Sequence, residues 1–135
     1  MANFAREKLT GYQVETRTSL TGVVDWLEKD LESTALISLD DDMGARRVEL
    51  GELLDPGTMA EVATQIAKYQ ACCPVVLNTS GEQVKRLSEI LMSARWDAYW
   101  AKPTGGDWLK QDWLYAVKRA LRRTKARHPR KAANL

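Results

Sequence analysis

Hydrophobic positions along this chain come in short blocks whose spacing switches between a helical and an extended period. Residues 3–10 predict a short helix, and Gly11 ends it. Tyr12–Arg17, YQVETR, alternates apolar and polar β-formers and predicts a strand. Ser19 can cap the next helix, in which Leu20, Val23, Val24, Leu27 and Leu31 share one face and Trp26 flanks it. Ala35–Leu39 is continuously apolar, the pattern of a strand covered on both faces. A mixed segment follows from Asp40 to Gly57, with a short irregular piece expected around Val48–Leu54 and a turn at Asp55-Pro56-Gly57. Thr58–Tyr69 predicts a helix with Met59, Val62, Ala63 and Ile66 inward, and Pro74–Leu77, PVVL, predicts a strand. Ser80 opens a capping box with Gln83, and the helix it starts runs to about Ala94 with Val84, Leu87, Ile90 and Leu91 inward. Asp97–Ala101 is a brief strand, and after a Pro- and Gly-containing loop the last helix spans Trp108–Arg123.

Strands that alternate with helices predict an α/β architecture with a parallel sheet and helices on both faces. Each strand-to-helix loop then lands at the carboxyl edge of the sheet, where such folds bind ligands. Polar groups gather in those loops: Asp40, Asp41 and Asp42 after one strand, Thr79 and Ser80 after the next, Lys102 after the third. A carboxylate, a hydroxyl and an ammonium at one edge are the set that handles a phosphoryl group. The carboxylate is nucleophile or cation ligand, the hydroxyl bonds a phosphoryl oxygen, and the ammonium neutralises charge. Mg²⁺ or Mn²⁺ is the cofactor this set would take, since hard cations favour carboxylate oxygens and keep several waters. Each piece also has a plainer reading. The aspartates suit a solvated loop, Thr79 and Ser80 suit a helix cap, and Lys102-Pro103 is a common surface dipeptide.

Composition adds bounds rather than chemistry. The 135 residues, 44% hydrophobic and 28% charged, suit one folded domain. No apolar run reaches membrane-spanning length, so no membrane partner is expected, and the N-terminus MANFAREKLTG lacks a signal-peptide pattern. The two cysteines, Cys72 and Cys73, are adjacent, which suits neither a disulfide nor a metal site and points to a reducing cytoplasm. The net charge of +2 conceals a division: eight Lys or Arg and no acid lie between Lys118 and the end, leaving an acidic body. We therefore expect a domain over residues 1–123 and a flexible basic tail over 124–135. Nucleic-acid backbone attraction is the functional reading of that tail. Five tryptophans favour core packing, with a stacking wall for a base as the alternative.

The order of these motifs resembles the response-regulator receiver superfamily, in which an Asp ends the third strand, a Ser or Thr the fourth and a Lys-Pro the fifth. LISLDDDMG, CPVVLNTS, the later ARW and DW-x-x-x-DW look closer still to its cyclic-phosphate-processing receiver branch, over roughly residues 12–123. The resemblance implies a flavodoxin-like, receiver-like three-layer sandwich. It makes Asp40 the phosphoacceptor position, Thr79 or Ser80 the hydroxyl and Lys102 the lysine, with metal-assisted phosphoesterase activity on cyclic phosphates proposed for the branch. Its implied partner is a phosphate-containing small molecule or an RNA end.

The chain departs from the pattern in several places. Asp41 and Asn78 stand where the branch usually has His, and the one histidine, His128, is in the tail. The segment after Asp40 is longer than usual. The first strand and its cation-binding acid pair are missing from residues 1–135: either Tyr12–Arg17 pairs directly with Ala35–Leu39 or the natural start lies upstream, and in both cases Asp41 and Asp42 would have to stand in. Two other functions follow from those departures: an inactive pseudo-receiver working as a signalling or interaction module, as a homodimer, and a binder of cyclic nucleotides that does not cleave them.

Overall fold

The computed structural model describes residues 2–17, 19–40, 47–49, 52–54, 59–79, 81–101 and 108–127. Helix α1 (Ala2–Lys8) comes first, and Gly11 turns the chain with φ 91°, a left-handed conformation that glycine adopts without steric penalty. Helix α2 (Leu20–Asp30) starts where Ser19 accepts a hydrogen bond from the Gly22 amide at 3.1 Å. It tightens into a 3-10 turn over Leu31–Ser33, closed by the Thr34 hydroxyl donating to the Asp30 carbonyl at 2.9 Å. The remaining elements are β1 (Ile37–Asp40), β2 (Arg47–Glu49), β3 (Glu52–Leu54), α3 (Met59–Ala67), β4 (Val75–Asn78), α4 (Gly81–Ser93), β5 (Ala98–Trp100) and α5 (Trp108–Arg127).

The molecule is α/β. Strands β1, β4 and β5 form a parallel sheet in that order, while β2 and β3 make a separate antiparallel pair. Period-2 alternation divides the sheet between two cores. Ile37, Leu39, Val75 and Leu77 face a cluster built with Val23 and Leu27 of α2, Val62 and Ile66 of α3, and Leu87 and Leu91 of α4. Val76 faces the opposite way, onto Ala5 of α1 and Trp113, Val117 and Ala120 of α5. Helices thus cover both faces of a small parallel sheet, a layout compatible with a flavodoxin-like sandwich.

The end of α4 shows how sequence steers packing. Arg95 adopts φ 67°, and the Trp96 amide reaches back to the Leu91 carbonyl at 3.0 Å. This left-handed closure is usually made by glycine. Here it turns the chain so that the Trp96 indole, only 1% exposed, enters the core beneath α3 and α4.

Three expectations need correction. Tyr12–Arg17 is not a strand. Its alternation supplies one half-buried apolar residue, Val14, which packs beside α1 and α5, and local pairs such as Gln13 to Glu15 satisfy its side chains. One apolar contact is too little to dock a strand, and among the described residues nothing pairs with the outer edge of β1. The irregular piece at Val48–Leu54 is instead the β2–β3 hairpin, with Val48 opposite Leu53. The last helix runs on to Arg127. Arginine and lysine are good helix formers, and cations favour a helix C-terminus, so the first residues of the expected tail are helical.

Candidate functional site

The carboxyl edge of the sheet is set by register. Asp40, the last residue of β1, is the partner of Asn78, the last residue of β4. Leu77 is the partner of Trp100 in β5, and the Ala101 amide continues the ladder by donating to the Leu77 carbonyl at 2.9 Å. Strands β1, β4 and β5 therefore end side by side, each about one strand spacing of 4.8 Å from the next. Short runs make this geometry: ISL, VVL and AYW fill the sheet, and β1 and β4 end on the polar residues Asp40 and Asn78.

Asp40 is half-buried at this edge, and Thr79, one residue beyond β4, is 3% exposed. The Trp100 indole N–H donates to the Thr79 carbonyl at 3.0 Å. Its ring lies 3.5 Å from where a Cβ on Gly81 would sit, so it covers the first turn of α4. This brace ties β5 to the Thr79 backbone and to the start of α4. Of the residues expected to act here, the structure brings Asp40 and Thr79 to the ends of neighbouring strands. Asp41, Asp42, Ser80 and Lys102 lie outside the described residues, as does the capping role expected of Ser80. Lys102 directly follows Ala101, whose backbone is already at the edge.

Among the described residues, no group of three or more His, Cys, Asp or Glu side chains gathers as a metal-ligand set. Asp40 is the carboxylate the described edge offers. Two side chains remote from it titrate above their ordinary values. Lys29 does so because Asp25 accepts its hydrogen bond and attracts its charge. Tyr69 does so through partial burial and then the Glu28 carboxylate.

The Trp100 brace was not foreseen, although strand alternation from Tyr99 places Trp100 on the α4 side. The packing reading of the tryptophans holds for Trp96 and Trp113, which are buried, and for Trp26, packed against the core. Trp100 differs, with 39% of its surface exposed. Set against family models, curated proteins and solved structures, the chain matches none of them.

Proposed function

We propose that the chain is a receiver-like domain whose carboxyl edge handles a phosphoryl group with the help of Mg²⁺ or Mn²⁺, cyclic phosphates being the substrate class. The observation that carries this reading is the register that ends β1 at Asp40 beside Asn78, with buried Thr79 next in line. Asp40 would supply the principal carboxylate, with Asp41 and Asp42 beside it in sequence to complete a hard-cation site. Thr79, Ser80 and Lys102 would bind phosphoryl oxygens. The start of α4 adds a favourable dipole and amide donors for an anion.

Calorimetric titration of Mg²⁺ and Mn²⁺ into the wild-type protein, with Asp40→Asn as control, tests this reading. Saturable binding that Asp40→Asn abolishes is expected, and assays on cyclic phosphates then follow. No heat at millimolar cation would remove the metal-assisted reading.

A second reading, a pseudo-receiver acting as an interaction module, draws on one observation. Among the described residues β1 has no strand on its outer side, which is where the usual acid pair would be carried. Failure of cation binding together with a stable dimer in sedimentation would favour it.

A further inference from the structure

Four large hydrophobic side chains stand exposed among the described residues: Tyr12, Met92, Trp100 and Tyr115. Three of them, Met92, Trp100 and Tyr115, line one open groove of about 490 Å³ along β5, between α4 and α5. Tyr115 is 65% exposed. Arg119 and Arg123 line the same groove, with Asp97 its one carboxylate. Tyr115, Arg119 and Arg123 are spaced four apart on α5, so they form one row, each step about 6 Å. Lys118 and Arg122, both exposed, form the adjoining row. From Lys118 to Arg127 the helix has six cations and no acid. The Arg123 guanidinium lies over the Tyr99 ring, 5.9 Å from its centroid, so cation and aromatic face already share the wall.

We infer that this groove binds single-stranded nucleic acid, with bases stacking on Tyr115 and Trp100 and phosphates held by Arg119 and Arg123. The charge complementarity is that of a polyanion, and successive cations one helical turn apart suit successive phosphates of an extended strand. Exposed aromatic faces beside guanidinium groups distinguish this partner from an acidic peptide, which would use the cations and leave the rings in water. Trp100 is held in place by its bond to Thr79, so one platform is ordered before a base arrives. Stacking and phosphate contacts ignore the sugar and tolerate any base, so RNA and DNA bind alike. A duplex, with its bases already stacked, engages only the cations. The inference does not depend on the phosphoryl site, because Asp40 and Thr79 are not in the groove lining.

The test is fluorescence anisotropy of labelled oligouridylate and oligothymidylate of about twelve nucleotides, a length within single-strand site sizes. It is run in EDTA, so that the result is independent of any cation at Asp40. Both oligomers should bind within a few-fold of each other and more tightly than a duplex of equal length. Tyr115→Ala, which keeps every charge, should weaken binding about fivefold or more. The double variant Arg119→Glu/Arg123→Glu should weaken it more than tenfold and flatten its salt dependence. All three residues are exposed, and circular dichroism verifies that the variants fold. No binding at low salt, affinity unaltered by either variant, equal affinity for duplex, or equal affinity for polyglutamate would each overturn the inference.

Discussion

Trp96 carries one conflict within a single side chain. Its ring is buried in the core with α3 and α4, yet among the described residues its indole N–H has no hydrogen-bond partner. An unsatisfied buried donor is unfavourable by about 1–3 kcal/mol, whereas burial of the ring is strongly favourable. Trp96→Phe removes the donor along with some packing, and the two effects offset. Its loss of stability in urea denaturation should stay below about 1.5 kcal/mol, against about 3–5 kcal/mol for Trp96→Ala. Tyr69 shows a different conflict, one of ionisation. Partial burial and the Glu28 carboxylate raise its folded-state pKa above that of the unfolded chain. The stability this contributes is complete below the unfolded value, about 10, and is lost as pH rises through the folded value. Urea midpoints should therefore fall on going above pH ~10, and the fall should be shallower in Tyr69→Phe. Lys29 acts with the same sign through Asp25, 2.7 Å away. That pair is well exposed, so solvent screens it and its share is small.

At the scale of elements, what the sequence made legible was what local spacing controls. The Ser19 cap, the inward faces of α2, α3 and α4, and the apolar strands at Ile37, Val75 and Ala98 all follow from residues within one or two turns of each other. Tyr12–Arg17 was misread because alternation describes a strand's faces and says nothing about whether an edge is available to pair with. The β2–β3 hairpin escaped because Glu49–Glu52 lacks the Asn-Gly or Asp-Gly turn that marks tight hairpins. The site was legible to the same degree: strand ends placed Asp40 and Thr79, whereas the Trp100 brace joins residues 21 apart and has no local signature. A longer link of this kind is between β1 and α5, where the Trp113 indole donates to the Ser38 hydroxyl at 2.7 Å across 75 residues. Ser38 interrupts an otherwise apolar strand, and this bond accounts for it. Ser38→Ala leaves the partly buried indole N–H without its acceptor and should lower stability by about 1–2 kcal/mol. Pairing it with Trp113→Phe in a double-mutant cycle should give less than the sum of the two losses.

Considered whole, the molecule divides its labour between the two sides of one small sheet. The α2–α3–α4 side holds most of the buried apolar residues, and its three helices follow one another in the chain between Leu20 and Ser93. The other side is built by α1 and α5, the two helices farthest apart in the chain, which meet through Phe4 and Trp113 with ring centroids 6.3 Å apart. Charge follows a related division. The basic residues concentrate on the last helix, while the acids lie in the body. The proposed phosphoryl site and the proposed nucleic-acid groove therefore sit on different borders of the sheet, one at its strand ends and one along β5. Asp40 and Tyr115 can each be replaced without touching the other site, whereas Trp100 lines the groove and bonds to Thr79.

The pairing of α1 with α5 also fixes a schedule. During synthesis the chain emerges from its N-terminus, and β1, β4 and β5 can be added to the sheet one after another as they appear. Helix α1 has no such opportunity. Seven residues are too few to hold a helix in water unaided, and its apolar partner, Trp113, is made more than a hundred residues later. Until α5 is made, Ala5 and Phe4 lack the helix they pack against, and one face of the growing sheet, Val76 included, lacks its cover. Of the described helices, the first in chain order is thus the last to be seated, and that interval is when a nascent chain of this design has most need of a chaperone.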